Sequence, residues 1–236
     1  MTTVGPRGDT GKRPVTRGRR VAFWTGLVLI AAGLAVLGYV AWQLWGTNWQ
    51  SQQKHRAGVE DVRERWAQGE SSARTDWGRV DAIIEIPRFG DDYEVPVLEG
   101  TSDSVLAAGY GHFDGTAGPG EVGNYALAAH RVTHGEPLRD MPELQPGDRV
   151  RVVTRTTTYV YELTTGGDDL IVDFTDTWVT EPLPTNPEKG GVQPPRGEKQ
   201  RLLTLTTCSE LFHTDNRMIA FGVLVGQRPT DPAVSG

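Results

Sequence analysis

The one cysteine of the chain, Cys208, is the residue whose type and position first suggest chemistry. It ends the run 201–207, which is rich in leucine and threonine and typical of a β-strand. Arg217 follows after a short connection and opens a second apolar run, 218–225. A thiolate is a nucleophile, and a guanidinium donates hydrogen bonds to an oxyanion. The pattern predicts a nucleophile with an anion-stabilising partner, to which Thr207 could add a hydroxyl or backbone donor.

The alternative for Cys208 is an inert buried thiol, and for Arg217 a surface arginine on a strand. A single cysteine excludes an intramolecular disulfide and a cysteine-rich metal site. It also lacks the second cysteine of a Cys-x-x-Cys motif, which disfavours a thiol-redox protein. The nucleophile hypothesis therefore depends on whether a base is placed near the thiol.

His130 is the candidate base, because it ends a run of small residues, 124–129, that is predicted to be a strand. A cysteine with the ordinary pKa of ~8.5 is mostly a thiol at neutral pH, and a nearby imidazole shifts it toward the thiolate. The same imidazole can then protonate an amine leaving group. The alternative is a strand histidine that only makes structural hydrogen bonds. Four other histidines compete for the role: His55, His112, His134 and His213.

His130 and His134 do not make a convincing zinc site. They lack a third ligand and the acidic residue of a His-Glu-x-x-His motif. We therefore predict that the chain has no metal site and needs no cofactor.

The segment from Trp77 onward alternates short β-type runs with Gly, Pro, Asn and Asp turn signals. About eight such runs and no long amphipathic helix predict a mainly β fold, closed or nearly closed into a barrel. The predicted runs are 80–86, 93–98, 124–129, 148–154, 157–163, 169–174, 201–208 and 218–225. The Pro- and Gly-rich stretch 181–199 interrupts them and is either a binding loop or lid, or a solvated insertion.

Residues 21–44 contain no charged side chain and are long enough for a transmembrane helix, since about 20 residues cross the ~30 Å hydrocarbon layer. Trp24 at one end and Tyr39, Trp42, Trp45 and Trp49 at the other match the aromatic belts of a bilayer. Six basic residues against Asp9 within residues 1–20 predict a cytoplasmic N-terminus and an extracytoplasmic remainder. A cleaved signal peptide is the alternative, although its apolar region is normally only ~7–15 residues.

The polar stretch after the span is interpreted as a spacer that holds the folded domain off the membrane. Val59, Val62 and Trp66 could share one face of a short helix within it, and 69–76 reads as a flexible break. The net charge of -6 disfavours nucleic-acid binding. The predicted division is a cytoplasmic tail (1–20), a transmembrane helix (21–45), an extracytoplasmic stalk (46–76), a β-barrel domain (77–227) and a C-terminal tail (228–236).

The sequence Thr204-Leu-Thr-Thr-Cys208, followed by Asp215-Asn-Arg217, resembles the active-site signature of sortases, the membrane-anchored cysteine transpeptidases of Gram-positive bacteria. The resemblance extends upstream. The segment that leads to the sortase catalytic histidine is similar to residues 109–124 and to Ala128-Ala-His-Arg-Val-Thr-His-Gly-Glu-Pro-Leu138. The turn after that segment is similar to residues 144–148. The resemblance covers about residues 77–226. It implies an eight-stranded sortase-type β-barrel with Cys208, His130 and Arg217 as the triad.

Within the family the sequence is most similar to class E, the housekeeping type of high-GC actinobacteria. This class is associated with a Leu-Ala-X-Thr-Gly sorting signal in place of Leu-Pro-X-Thr-Gly, and the resemblance makes Tyr110 a candidate for reading the alanine position. The choice between alanine and proline stays open. Ala128-Ala129 stands where many sortases carry Ala-Gly, a departure that does not touch the chemistry.

The resemblance implies that Cys208 attacks the Thr–Gly carbonyl of a sorting signal and forms a thioester. Arg217 and Thr207 would stabilise the oxyanion, and His130 would protonate the leaving amine and deprotonate the next one. The implied partners are secreted proteins with a C-terminal sorting signal, a lipid-linked peptidoglycan precursor with its amine, and the membrane.

Three other functions are alternatives to this interpretation. A catalytically silent extracytoplasmic barrel would bind or assemble without chemistry, and a pilin-polymerising sortase would join proteins to each other. The third, an L,D-transpeptidase, carries Ser-His-Gly before its cysteine, which Thr206-Thr207 does not match.

Overall fold

The structure is a computed structural model and describes residues 17–42, 47–197, 199–208 and 215–230. The predicted basic tail up to residue 16, Trp45 and the tail from residue 231 lie outside them. The chain forms two compact units, Met1–Gln43 and Leu44–Gly236. Helix α1 (Arg17–Ala41) belongs to the first unit.

Helix α1 has the length and composition of a membrane span over Val21–Val40, a stretch of 20 residues without charge. Its apolar side chains are exposed, among them Leu29 and Leu37, each 67% exposed. Side chains of this kind need an apolar surrounding, which a bilayer supplies. Among the described helices only this one passes the test, which a signal sequence near the N-terminus would also pass.

The second unit is built mainly from strands, as expected. Its described strands are β1 (Ala73–Thr75), β2 (Gly78–Glu85), β3 (Glu94–Glu99), β4 (Tyr110–His112), β5 (Gly123–Ala128), β6 (Arg149–Val153), β7 (Thr157–Leu163), β8 (Leu170–Asp173), β9 (Arg201–Cys208) and β10 (Asn216–Pro229). Two helices are described beside them, α2 (Thr47–Ala67) and the single turn α3 (Asp103–Leu106). Short 3-10 turns occur at Pro87–Phe89, Met141–Glu143 and Thr177–Thr180.

Eight of these strands close into a barrel, which confirms the predicted fold. The hydrogen-bonded order is β2-β3-β4-β5-β9-β10-β7-β6, and β6 returns to pair with β2. The pairs β3–β4 and β5–β9 are parallel, and the other neighbours are antiparallel. Outside the ring, β1 pairs with β2 and β8 with β10. Closure leaves no barrel strand with an unpaired edge.

Strand β9 is buried on both faces, which explains its mixture of leucine and threonine. Leu203 and Leu205 belong to the barrel core. On the opposite face the hydroxyl of Thr204 donates to Asn124 Oδ1 at 2.8 Å. The Asn124 amide in turn donates to the carbonyls of Val179 and Glu181 at 3.0 and 3.1 Å. Buried polar groups need such partners, so this network fastens the 177–181 segment across β5 and β9.

The segment 46–76, predicted as a stalk, differs in the structure. Most of it is α2, and Val59, Val62 and Trp66 are buried in a cluster with residues of β1, β2 and β3. Trp66 Nε1 also donates to Ser71 O at 3.1 Å. Charged residues between these apolar positions make the segment look solvated by composition, but the apolar stripe requires a surface to cover it. The barrel supplies that surface, so α2 is part of the folded domain and not a spacer.

Candidate active site

The pairing of β9 with β10 places Cys208 directly opposite Arg217 in the antiparallel register. Arg217 is also paired with Val172 of β8, so β10 holds it between two strands. The Cys208 side chain and the connection 209–214 lie outside the described residues. The backbone therefore brings the predicted nucleophile and its arginine together at one end of the sheet.

The parallel pairing of β5 with β9 brings His130 to the same end of the sheet. Ala128 is paired with Thr206, and Ala129 N–H donates to Thr206 O at 3.1 Å. The Thr207 hydroxyl donates to Ala129 O at 2.7 Å. His130 is the next residue after this contact, as Cys208 is the next after Thr207. Parallel strands end at the same sheet edge, so the two candidates follow neighbouring strand ends.

A cleft of about 400 Å³ lies at this edge, and His130, Thr207 and Arg217 line it. One wall comes from α3, from Thr101 before it and from Phe113, which follows β4. The other comes from β8 and the 174–180 segment. The remaining lining residues are Thr101, Asp103, Leu106, Phe113, Ala128, Ala129, Val172, Asp173, Phe174, Asp176, Thr177, Val179, Thr180, Thr206 and Ile219. A concave, largely apolar surface with a few convergent polar groups has the character of a ligand site.

The His130 imidazole is neutral at neutral pH. Burial lowers its pKa to about 4, and His134 acts in the same direction, while Asp103 opposes the shift. The His134 ring stacks on the His130 ring with 4.7 Å between centroids. A neutral imidazole can accept the proton of a thiol, which is the role expected of His130.

Arg217 is half-buried in the cleft wall, and its Nη1 donates to Asn216 O at 3.0 Å. The pKa of the nearby Asp173 carboxyl is lowered, chiefly by the hydroxyl of Thr175 and then by its backbone N–H, with a smaller contribution from Arg217. The guanidinium is thus a cation facing the cleft, which suits the stabilisation of a developing anion.

Tyr110, predicted to contact substrate, is not brought to the cleft. It is fully buried in the barrel core, and its hydroxyl lies 2.8 Å from the hydroxyl of Tyr93. Tyr93 in turn donates to Pro137 O at 2.7 Å. The register of β4 turns Tyr110 inward, so a role in reading the sorting signal is not supported by this geometry. Tyr110 instead supports, through Tyr93, the loop that follows His130.

The other histidines have different surroundings. His112 Nε2 lies 2.9 Å from the Thr116 hydroxyl and 3.1 Å from Ala117 O, so it is a hydrogen-bonded structural residue. His134 stacks on His130, a contact for which the sequence offered only the four-residue spacing. His55, assigned to the stalk by sequence, is 6% exposed on α2. His213 lies outside the described residues.

No cluster of three or more His, Cys, Asp or Glu side chains among the described residues could hold a metal ion.

The Pro-rich stretch 181–199 is held by hydrogen bonds within itself. Asn186 Nδ2 donates to Val192 O at 3.0 Å, and Gln193 Nε2 donates to Asn186 O at 2.9 Å. Its described residues do not line the cleft, whose wall ends at Thr180.

A sortase-domain family model matches residues 84–225 of the chain. Together with the closed eight-stranded barrel and the shared strand ends, this match shows that the chain belongs to the sortase family of cysteine transpeptidases.

The similar proteins agree with the resemblance to class E. Sortase SrtE1 of Streptomyces coelicolor is 35% identical over 212 residues, which cover 86% of this chain and 57% of that relative. The solved structure of sortase E from Streptomyces avermitilis has a TM-score of 0.56 and 35% identity, covering 69% of this chain and 100% of the other. The structure of sortase E1 from S. coelicolor with a tripeptide in the active site has a TM-score of 0.52 and 35% identity, covering 66% and 94%.

Proposed function

We propose that this chain is a membrane-anchored transpeptidase that cleaves a sorting signal between threonine and glycine and transfers the protein to an amine of peptidoglycan. The observation that carries the proposal is the strand register, which sets Cys208 opposite Arg217 and beside the strand end that leads to His130. Residues opposite each other in an antiparallel pair lie on the same face of the sheet. We therefore assign nucleophile, anion-stabilising and proton-transfer roles to these three residues.

In the first half-reaction the Cys208 sulfur attacks the threonine carbonyl carbon, and neutral His130 takes the thiol proton. The carbonyl oxygen becomes an oxyanion, which Arg217 stabilises by charge and hydrogen bonding. The C–N bond then breaks, the imidazolium gives its proton to the glycine amine, and a thioester remains on Cys208.

In the second half-reaction an amine of the peptidoglycan precursor attacks the thioester carbon. His130 accepts the amine proton, and the C–S bond breaks to release the cysteine. Thr207 contributes by position, because its hydroxyl is already bonded to Ala129 O and holds β9 against the strand that precedes His130. This contact makes Thr207 a positioning residue more than an oxyanion donor.

The walls of the cleft support a short apolar peptide as substrate. Leu106, Phe113, Val172, Phe174 and Val179 contribute apolar side chains, and Phe174 is 56% exposed. A side chain left so exposed at the mouth of a cleft gains stability when a ligand covers it. The tripeptide in the active site of the related sortase E1 supports a peptide in this cleft.

The basic residues before the span support an N-terminus in the cytoplasm, and a catalytic unit outside it. Such a location gives the site access to secreted proteins and to the lipid-linked precursor, the two partners of the proposed reaction.

The function is tested by offering the full-length chain, in detergent micelles, fluorogenic Leu-Ala-X-Thr-Gly and Leu-Pro-X-Thr-Gly peptides that share the residue X. We expect cleavage between threonine and glycine, faster for the alanine peptide, and conversion to an amide when a glycine-based amine is added. Mass spectrometry of the products identifies the bond cleaved. Failure to cleave either peptide, with circular dichroism showing a folded protein, would contradict the transpeptidase proposal. Faster cleavage of the proline peptide would contradict the class E specificity alone.

Arg217→Ala is expected to lower kcat by about 10²- to 10³-fold, as loss of an oxyanion donor does, with little change in KM. Arg217→Lys keeps the charge but loses the planar fork of donors, so its kcat should fall between those of Arg217→Ala and the wild type. Steady-state kinetics and thermal unfolding are measured on the same preparations. An Arg217→Ala protein that no longer folds would show that the arginine has a structural role.

A further inference from the structure

The loop from His130 to Leu138 holds an unusual backbone turn. His134, Gly135 and Glu136 have φ angles of 56°, 80° and 51°, so three consecutive residues occupy the left-handed region. For the two that carry a Cβ this conformation costs energy and persists only where the surroundings enforce it. Leu138 N–H donates to His130 O at 3.0 Å and closes the loop onto the candidate base. A change in the turn would therefore move His130.

Helix α2 provides the enforcing contact. Ser51 and His55 lie one helical turn apart and are 2% and 6% exposed. A Cβ added to Gly135 would lie 2.5 Å from His55 Cε1 and 3.2 Å from the Cβ of Ser51. The helix and the turn are thus packed so closely that only glycine fits at the contact.

The His55 imidazole also has a buried nitrogen that lowers the stability of the folded protein. Its Nε2 is buried and has no hydrogen-bond partner among the described residues. A buried nitrogen without a hydrogen-bond partner destabilises the folded protein, and an apolar side chain of similar size would not. A histidine at this position therefore calls for an explanation beyond helix packing.

We propose that His55 is a positioning residue for His130: it presses on Gly135 from α2, holds the left-handed turn, and so keeps His134 stacked on the candidate base. The proposal rests on the proposed function, in which His130 transfers the protons. It makes α2, which sequence alone assigns to a stalk, part of the catalytic apparatus.

The groups that face this cluster come from three elements. Lys54 and His55 lie on α2, His130 and His134 on the loop, and Asp103 on α3. Burial, then Lys54 and then His130 lower the pKa of His55 to about 4. Burial and then Lys54 lower the pKa of His134, which Asp103 opposes. At neutral pH His55 therefore acts by shape and not by charge.

The test compares His55→Ala, His55→Gln and the control Val62→Ala in the full-length chain. Val62 is fully buried on the same helix but packs on β1 to β3, away from the loop. We expect His55→Ala to lower kcat by about 10- to 100-fold with KM nearly unchanged, since small displacements of a catalytic group have effects of this size. His55→Gln, which preserves much of the side-chain volume, should recover most of the wild-type kcat. Val62→Ala should lower Tm and leave kcat unchanged at temperatures where it is folded.

A second readout does not depend on turnover. The His130 imidazole is titrated by ¹H–¹³C NMR, with its signal assigned by loss in His130→Ala. In His55→Ala the loop relaxes and the ring gains water, so the pKa of His130 should rise from about 4 toward 6.5. In Val62→Ala it should not move.

A double-mutant cycle tests the contact itself. Gly135→Ala should lower kcat, because its Cβ would collide with the His55 ring, and adding His55→Ala should restore part of the loss by removing the ring. The proposal would be contradicted if the fold-losses in kcat of the two single variants simply multiplied in the double variant.

The proposal is overturned if His55→Ala behaves like Val62→Ala, with a lower Tm but an unchanged kcat and an unchanged His130 titration. A wild-type protein without transpeptidase activity would overturn the proposed function instead. The NMR titration would then still decide whether His55 positions His130.

Discussion

Replacement of Cys208 by alanine is expected to abolish peptide cleavage, with kcat falling by at least about 10⁴-fold, the scale seen when the nucleophile of a triad is removed. The proposed route passes through a covalent thioester, and alanine has no atom that can form it. Binding is expected to survive, because the cleft walls and Arg217 are unchanged. Inhibition constants of a non-cleavable peptide should therefore be similar for the variant and the wild type.

The measurement for Cys208→Ala is mass spectrometry of the intact protein after mixing with peptide, alongside steady-state rates. The wild type should carry an adduct of the acyl portion of the peptide, and the variant should carry none. Cys208→Ser is the matched control, since it keeps a nucleophilic oxygen at nearly the same size but with a much higher pKa than a thiol. Cleavage by Cys208→Ala at the wild-type rate would rule out this cysteine as the nucleophile.

Replacement of His130 by alanine is expected to lower kcat by about 10²- to 10⁴-fold, the usual contribution of a general acid–base group. Both proposed half-reactions need a proton moved between sulfur and nitrogen, and the described lining of the cleft contains no other histidine. His112→Asn is the matched control, because His112 lies on β4 and its Nε2 is within hydrogen-bond distance of the Thr116 hydroxyl. This variant should retain near-wild-type rates. Equal losses in the two variants would indicate a general requirement for histidine in folding.

The pH dependence of the wild type follows from the same residue. In the proposed reaction neutral His130 accepts the thiol proton, and burial, with His134, lowers its pKa to about 4. The fraction of active enzyme should therefore rise as the pH increases through about 4, well below the ordinary value of 6.5. The acid limb of kcat/KM for the free enzyme reports this ionisation. A limb centred near pH 6.5 would mean that the imidazole is more solvated in solution than in the structure.

Much of this protein was predictable from sequence because the signals are local. The charge-free run before residue 45 predicts a membrane span, and α1 has the required length and composition. Short β-type runs bounded by turn residues predict strands, and a strand forms at each of the eight predicted runs, seven of them in the barrel and the eighth, β8, paired to β10 outside it. The barrel is completed by the short strand β4, which was not among the predicted runs. Cys208 and Arg217 are separated by one connection, so their pairing follows from the simplest arrangement of two consecutive strands.

Other features depend on which distant segments meet, and only the tertiary structure decided them. His130 reaches the end of β9 because β5 and β9 pair in parallel, with Ala128 opposite Thr206. Tyr110 faces the core because β4 has one register and not the alternative, and a one-residue shift would reverse every side chain. In the sequence, Val59, Val62 and Trp66 are a few apolar residues within a polar segment. The structure shows that a face of the barrel covers them.

The family of this protein and its candidate membrane span were therefore predictable largely from the sequence itself. Residue types, apolar run lengths and the sortase-like motifs are properties of the chain before it folds. The surroundings of the base were decided by the tertiary structure: the stacking of His134, the burial that keeps His130 neutral, and the contact of His55 with Gly135. The physical reason is that desolvation and packing are set by atoms from segments far apart in sequence, whose meeting depends on closure of the whole barrel.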